Sequence, residues 1–206
     1  MDKKAFFKLS YGLYIVTTAY EGKESGCVIN TMTQVTSTPS QVCVTLNKNN
    51  YTTELLLGSR VFHVSVLLDE VSMDTIRQFG FQSGRDVDKF NVGEYLVDDY
   101  GIKYLKNESA ASFSCVVKQV IDVGTHYMFI AEVKDAEVLS DHEVLTYSAY
   151  HHKKNGLTPP HAPSYIDDAK RGYRCDICGF IYDGEPLPDD YICPICKADV
   201  THFHKI

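Results

Sequence analysis

Two Cys-x-x-Cys pairs near the end of the chain constrain its folding more than any other feature. They read CDIC at residues 175–178 and CPIC at residues 193–196, and 14 residues separate them. Four thiolates in two tight turns are typical of a tetrahedral metal site, and this ligand set suits both zinc and iron. The predicted ligands are Cys175, Cys178, Cys193 and Cys196.

The cysteine usage also indicates a reducing compartment. The chain has seven cysteines, an odd number, and four of them lie within residues 175–196, which is clustering for a metal and not a framework of disulfides. We find neither a secretory signal segment nor an apolar run long enough to span a bilayer. We therefore expect a cytoplasmic protein with no membrane partner.

The charge balance argues against nucleic acid as a partner. The net charge of −7 divides into −4 for residues 1–164 (15 basic, 19 acidic) and −3 for residues 165–206 (5 basic, 8 acidic). An acidic tail repels phosphate backbones, so a DNA-binding zinc ribbon is disfavoured.

The pattern upstream of the cysteines predicts a mainly β domain. Six segments are rich in β-branched and aromatic residues with partial alternation, and only two short helices are expected, one after Asn50 and one near EVSMDTIRQFG. Several strands with few crossover helices favour an antiparallel barrel. The segment GLTPPHAPSYIDDAKRG reads as a connector, with a boundary near Asp168 that gives domains at 1–166 and 167–206. The strand segments are YGLYIVTTAY, CVINTMTQVTS, QVCVTLN, RVFHVSVLL, AASFSCVVKQVID and HYMFIAEVKDAEVL.

The residues around the cysteines bear on the choice between iron and zinc. Tyr173 precedes the first pair, Gly179 follows it, the second pair stands in LPDDYICPIC, and Phe203 lies downstream. This arrangement resembles rubredoxin, whose four cysteines bind one iron and which transfers single electrons. The loop between the pairs is shorter than in free-standing rubredoxins, and Tyr191 stands where they usually have Trp. The alternative is a structural zinc ribbon, which shares the cysteine pairs and does not need LPDDY.

Residues 25–56 suggest a cofactor site in the larger domain. They place Asn, Thr, Gln and Lys on apolar strands and at the start of a helix, where a phosphate could bind. Residues 1 to about 166 resemble the flavin reductase-like, or flavoredoxin-like, family, on TMTQVTSTPSQVCVTLNKNNYT, SGRDVDKF, THYMFIAEV and the tail YHHKKNGLTPPHAPSY. The resemblance implies an FMN-binding split β-barrel with short helices, usually a homodimer. A fusion of this domain to a small rubredoxin-like domain resembles the high-molecular-weight rubredoxins of anaerobes.

The family resemblance also implies which residues bind FMN. The segment from Asn30 to Thr36 would line the flavin ring and ribityl chain, the segment from Asn47 to Thr52 would receive ribityl and phosphate, and Lys89 would add a cation near the phosphate. No side chain is expected to be catalytic, because FMN and iron supply the chemistry. The implied FMN contacts are Asn30, Thr31, Met32, Thr33, Gln34, Val35, Thr36, Asn47, Lys48, Asn49, Tyr51, Thr52, Lys89, His126 and Tyr165.

Together the two resemblances predict an electron-transfer flavoprotein. Electrons from NAD(P)H would pass through FMN to the iron and then to an acceptor protein such as a flavodiiron oxygen or nitric oxide reductase. The chain has no Gly-x-Gly-x-x-Gly dinucleotide fingerprint, so the nicotinamide would have to meet the flavin directly. Three alternatives stay open: a flavin or ferric reductase, an electron carrier fed by a separate reductase, and a non-enzymatic flavin-binding protein with a zinc-ribbon docking module.

Overall fold

The computed structural model describes residues 3–91, 93–154 and 172–206. The expected boundary near Asp168 lies outside the described residues, so the division at residue 166 stays a prediction. Two compact units are distinguished: one is Tyr11–Thr146, and the other combines the described parts of Met1–Ser10 and Tyr147–Ile206.

The described residues of the larger unit form nine strands and two helices. All ladders of its main sheet are antiparallel, as expected for a mainly β domain. The elements are β1 (Tyr14–Tyr20), β2 (Lys23–Ile29), β3 (Met32–Ser37), β4 (Ser40–Asn47), α1 (Tyr51–Ser59), β5 (Val61–Leu67), α2 (Met73–Gly80), β6 (Tyr95–Val97), β7 (Lys103–Leu105), β8 (Ser109–Asp122) and β9 (His126–Val138).

The strand order shows that the main sheet curls into a barrel. Its seven strands run β2-β1-β5-β8-β9-β4-β3, so β2 and β3 are the two ends of the sheet. Only Asn30 and Thr31 connect them, and the three residue steps from Ile29 to Met32 span at most about 10 Å. The two ends of the sheet must therefore lie side by side, which brings Asn30 and Thr31 to the seam of the barrel.

The core explains why these segments form strands. Strands β1, β4 and β5 carry runs of consecutive buried residues, because the barrel interior covers one face and α1 or a loop covers the other. The largest fully buried side chains of the barrel include Phe62, Phe79 and Phe129. The three cysteines of the larger unit, Cys27, Cys43 and Cys115, are buried in this region, where they act as small apolar residues.

Both expected helices are present, and each has a defined start. The Asn50 side chain caps α1 by accepting a hydrogen bond from the backbone N–H of Thr52, and Ser72 caps α2 through the N–H of Thr75. Ile76 and Phe79 of α2 are both 2 % exposed, so they anchor this helix to the core.

Three features differ from the sequence expectation. The segment CVINTMTQVTS is not one strand, since it breaks at Asn30 and Thr31 and crosses the barrel seam. The β6–β7 hairpin was missed because its strands have only three residues each. The helix α3 (Tyr147–Lys154) was also missed, since its sequence YSAYHHKK has no apolar periodicity.

The smaller unit holds the cysteine pairs on a short antiparallel sheet. Its order is β11-β10-β12, with β10 (Tyr173–Cys175), β11 (Ile181–Tyr182) and β12 (Phe203–Lys205). Helix α3 belongs to this unit. Tyr191 packs against Tyr182 with ring centroids 4.6 Å apart and against Phe203 at 5.4 Å, so a tyrosine fills the centre of the small aromatic core.

Candidate functional site

The four predicted metal ligands converge. Their sulfur atoms all lie within 4.8 Å of one another. Cys175 Sγ is 3.5 Å from Cys196 Sγ, and Cys178 Sγ is 3.6 Å from Cys193 Sγ. A metal–sulfur bond of about 2.3 Å in a tetrahedron places the sulfurs about 3.8 Å apart, so these cysteines fit one metal ion.

Two cysteine loops with the same backbone pattern hold the sulfurs. In the first cysteine loop (residues 175–180) the N–H of Gly179 donates to the Cys175 carbonyl, and the N–H of Cys175 donates to the Phe180 carbonyl, both at 2.9 Å. In the second cysteine loop (residues 193–198) the N–H of Lys197 donates to the Cys193 carbonyl at 3.0 Å, and the N–H of Cys193 donates to the Ala198 carbonyl at 2.8 Å. The two loops therefore have equivalent backbone conformations.

The second cysteine of each loop also has an equivalent environment. Hydrogen bonds among the sulfurs raise the pKa of Cys178 and of Cys196, while the backbone N–H of Phe180 opposes this at Cys178 and that of Ala198 opposes it at Cys196. These N–H groups favour the thiolate forms that a metal needs. Such N–H···S bonds are one of the means by which a protein sets the reduction potential of an iron–thiolate centre.

The residues predicted to line the flavin ring lie along the seam and on β3. Asn30 is 4 % exposed, and residues 33–37 are exposed on the outer edge of the sheet. The Thr31 hydroxyl donates to the Thr45 carbonyl at 2.8 Å, and Met32 pairs with Val44 on β4. Because β4 leads directly to residues 47–52, the two predicted segments are neighbours.

His126, the first residue of β9, lies beside the same two segments. It is the register partner of Asn47 on β4, and it is 8 % exposed. Its Nδ1 lies 2.8 Å from the Thr125 hydroxyl, which fixes the orientation of the ring. The structure therefore brings His126 next to the start of the predicted phosphate segment.

Segment 47–52 forms the entrance to α1, and its residues differ in accessibility. The Asn47 side chain accepts a hydrogen bond from the N–H of Asn49 at 2.9 Å. The Lys48 ammonium pairs with the Asp122 carboxylate at 2.6 Å and lies 4.8 Å from the centre of the Tyr127 ring. Thr52 is fully buried, and its hydroxyl is 3.0 Å from that of Ser25, so its side chain anchors the helix to β2.

Lys89 is buried and faces backbone carbonyls. It is 1 % exposed, and its ammonium donates to the carbonyls of Gln78 and Gln82 at the end of α2. Burial lowers the pKa of Lys89 to about 8. Two of its three donors are thus used within the protein, which anchors the loop 81–90, and its role near a phosphate stays a prediction.

The list of residues predicted from the sequence omits two residues near the start of α1, Asn50 and Arg85. Asn50 caps α1, a role that its position immediately before a helix could have revealed. Arg85 lies over the Tyr51 ring at 4.7 Å and pairs with Glu54 at 2.5 Å, so it is a half-exposed cation beside the start of α1. No sequence spacing reveals this contact, because residues 51 and 85 meet only in the folded barrel. Tyr165, the last predicted flavin contact, lies outside the described residues.

Comparison with known proteins identifies the family. The model of the flavin reductase like domain matches residues 6–156, and that of the rubredoxin-like domain of rubrerythrin matches residues 173–204. The chain belongs to the flavin reductase-like family. Membership implies a flavin for the barrel, and the rubredoxin-like match implies iron for the four cysteines, whose sulfur geometry fits it. The expected combination of a flavin reductase-like domain with a rubredoxin-like domain is confirmed.

Two curated relatives cover different parts of the chain. A high molecular weight rubredoxin of Moorella thermoacetica is 38 % identical over the full length of both chains. A ferric-chelate reductase (NAD(P)H) of Archaeoglobus fulgidus is 44 % identical over 81 % of this chain and 99 % of its own. These similarities support an oxidoreductase.

Solved structures support the barrel fold. The NADH:FAD oxidoreductase of Streptomyces globisporus C-1027 superposes with a TM-score of 0.65, covering 71 % of this chain and 86 % of its own at 22 % identity. The flavoredoxin of Methanosarcina acetivorans gives a TM-score of 0.58 over 63 % of this chain and 69 % of its own at 21 % identity. None of the helices in the described part of the chain is long and apolar enough to span a bilayer.

Proposed function

We propose that the protein passes electrons from NAD(P)H through FMN to an iron ion held by its four cysteines, and from there to an acceptor protein. The observation that carries this proposal is the four-sulfur centre of rubredoxin type in the same chain as a flavin reductase-like barrel. Bound FMN would accept two electrons from a nicotinamide and release them singly, and bound iron would carry one electron at a time.

The proposed flavin site lies on the neighbouring strands β3, β4 and β9, near the start of α1. Asn30 and Thr31 lie at the barrel seam, and Asn47 lies at the end of the neighbouring strand β4. Their polar groups would hydrogen-bond the edge of a planar ring. His126 adds a ring whose orientation Thr125 fixes. Arg85, beside the start of α1, adds a cation suited to a phosphate, because guanidinium binds phosphate oxygens in a bidentate manner. Lys89 near the phosphate and Tyr165 against the flavin complete the proposed site.

The donor and the acceptor are inferred from separate features. The names of the Archaeoglobus and Streptomyces proteins, which contain NAD(P)H and NADH, support a nicotinamide as donor. For the acceptor, the small unit exposes Asp183, Asp189 and Asp190, which would favour a basic docking surface. We propose a flavodiiron oxygen or nitric oxide reductase as acceptor and a homodimer as the assembly, both from the resemblance.

A ferric or flavin reductase is the second candidate. It is favoured by the 44 % identity to the ferric-chelate reductase, which covers the barrel and not the full chain. In that case NAD(P)H-dependent reduction of ferric chelates would survive the loss of the metal centre. A variant with Cys178 and Cys196 replaced by serine separates the two functions, because only the electron-transfer route needs these sulfurs.

Absorption spectroscopy with metal analysis tests the primary proposal. The air-oxidised protein should contain one iron per chain and show ferric-thiolate bands besides those of flavin, and both sets should bleach when NADH or NADPH is added without oxygen. Zinc in place of iron would refute the proposal and would favour the docking-module alternative. Bleaching of flavin with the ferric-thiolate bands unchanged would favour the reductase. Light scattering of the same sample measures whether the protein is a dimer.

A further inference from the structure

A histidine and an aspartate form a buried pair on the outer face of the barrel, outside the residues assigned to the flavin. Phe62 and Val64 of β5 belong to the barrel core, so the side chain of His63 between them points to the opposite face of the sheet. The Nδ1 atom of His63 lies 3.1 Å from Oδ2 of Asp98, and the two side chains are only 4 % and 6 % exposed. The pair therefore connects the sheet to the turn between β6 and β7, where Asp98 lies.

Asp98 fixes this turn to the sheet through both of its carboxylate oxygens. Oδ1 accepts hydrogen bonds from the backbone N–H groups of Tyr100 and Ile102, at 3.0 and 2.9 Å. Oδ2 accepts a hydrogen bond from the Ser114 hydroxyl at 2.8 Å and faces His63. Burial opposes the ionisation of Asp98, but these hydrogen bonds, led by that from Ile102, outweigh it and lower the pKa of the carboxyl. One carboxylate thus connects the turn with β5 and β8.

The imidazole of His63 is held in its neutral form. With Asp98 ionised, Nδ1 carries the proton that is shared with the carboxylate, which leaves Nε2 as the unprotonated nitrogen. Nε2 is buried and has no hydrogen-bond partner among the described residues. The ring stacks on that of Tyr104 in β7, with centroids 3.8 Å apart. A proton added to Nε2 would therefore lie in the interior without an acceptor, and a buried charge of this kind is costly.

The charged groups around the pair do not reverse this preference. Burial lowers the pKa of His63, and it outweighs the opposing effects of Asp98 and of Asp135 on β9. Asp135 and Glu137 are both exposed, so water and salt screen their charges. Burial raises the pKa of Tyr104, so the phenol stacked on His63 stays neutral at acidic pH. His63 therefore gains a proton more readily when it leaves this site.

The hairpin of β6 and β7 also contacts the loop that precedes it. The Tyr95 hydroxyl on β6 donates to the Lys89 carbonyl at 3.3 Å, and the Tyr95 ring lies 5.1 Å from that of Phe90. We call this loop and the hairpin, residues 81–91 and 93–105, the cover segment. A change at the hairpin turn is therefore transmitted to the loop that carries Lys89.

We propose that His63 and Asp98 form a pH-sensitive latch that holds the cover segment on the barrel and releases it when acid protonates His63. In the open form the imidazole meets water and has its ordinary pKa of about 6.5, whereas the closed form keeps it neutral. The closed form is therefore fully favoured above pH 6.5 and loses stability as the pH falls below this value. The population of the open form should rise about tenfold between pH 7.5 and pH 5.5. The latch does not depend on the proposed electron transfer, although the cover segment carries Arg85 and Lys89 of the proposed flavin site.

Amide hydrogen exchange of the full-length protein, measured by mass spectrometry, tests the latch. After correction for the intrinsic effect of pH on exchange, the protection of residues 98–105 should fall about tenfold from pH 7.5 to pH 5.5. At both pH values it should be weaker than the protection of β4, because the cover segment opens without unfolding of the barrel. His63→Asn keeps a donor at the position of Nδ1 and does not titrate, so its protection should not change with pH. His142→Asn, at an exposed histidine paired with Glu70, is the matched control and should retain the tenfold fall.

Two results in the unsubstituted protein would each overturn the latch. One is protection of residues 98–105 that does not change with pH, and the other is protection equal to that of β4, which would mean global unfolding. A fall that persists in His63→Asn, or that disappears in His142→Asn, would overturn it as well, because another group would then be titrating. If His63→Asn does not fold, His63→Gln, whose amide is also a neutral donor, takes its place with the same expectation. If neither folds, the comparison with β4 in the unsubstituted protein decides by itself.

Discussion

Gly179 and Lys197 occupy equivalent positions in the two cysteine loops, and both have positive φ angles, 75° and 64°. Each donates its backbone N–H to the carbonyl of the first cysteine of its pair. A left-handed conformation costs a residue with a side chain about 1–2 kcal/mol, and glycine avoids this cost. The second loop is therefore the strained one.

This relationship predicts that Lys197→Gly stabilises the metal-binding unit. The gain should be about 1 kcal/mol, reduced by the greater freedom of glycine in the unfolded chain. It is measured as slower release of metal to a chelator and as a higher denaturant midpoint for bleaching of the ferric-thiolate bands. Gly179→Ala is the matched control and should have the opposite effect, whereas stabilisation by both changes would contradict the argument.

Cys178→Ser should abolish stoichiometric metal binding. The change removes one of four soft ligands from a buried site and leaves a hydroxyl, which binds iron or zinc poorly in its protonated form. Metal analysis of the purified variant measures the effect. The control is Cys43→Ser, at a buried strand cysteine of the barrel. It should keep its metal, and a loss of metal there would contradict the assignment of the site.

His126→Ala should weaken FMN binding about tenfold, corresponding to about 1.4 kcal/mol. The expected cause is the loss of an oriented imidazole ring from the proposed flavin site, where His126 pairs with Asn47. Titration of the flavin-free protein with FMN, followed by quenching of flavin fluorescence, gives the dissociation constant. His142→Ala, at an exposed histidine paired with Glu70, is the control and should bind FMN normally. Equal affinities for FMN in all three proteins would exclude His126 from the site.

Lys89→Met should remove a pH dependence of stability between about pH 8 and pH 10.5. Burial lowers the pKa of Lys89 to about 8 from its ordinary 10.5, so between these values the unfolded chain binds more protons than the folded protein. The free energy of unfolding of the unsubstituted protein therefore rises with pH in this window because of Lys89. Denaturant melts of both proteins at pH 7.5 and at pH 10 test this, and parallel pH profiles would refute it.

The metal centre could be predicted from the sequence because its ligands are local. Two short loops, each with its own hydrogen bonds, bring Cys175 near Cys178 and Cys193 near Cys196, and only the pairing of the two loops needs tertiary structure. The mainly β barrel was predictable for a similar reason, since alternation and β-branched residues mark most of its strands.

The rest of the site depends on contacts between distant parts of the chain. The break at Asn30 is hidden because β-branched and polar residues continue on both sides of it, and the barrel seam exists only when the sheet closes. Lys89 is buried because its ammonium meets carbonyls at and just beyond the end of α2. The contact of Arg85 with Tyr51 joins a loop to the start of α1, 34 residues earlier.

Reduction of the metal in the absence of flavin tests the central claim most directly. The protein is stripped of FMN with its iron retained, NADH or NADPH is added without oxygen, and the ferric-thiolate absorption is followed before and after FMN is restored. The account predicts that these bands persist without FMN and bleach once FMN is added back. Bleaching at the same rate in the flavin-free protein would contradict the order of electron transfer proposed for this chain.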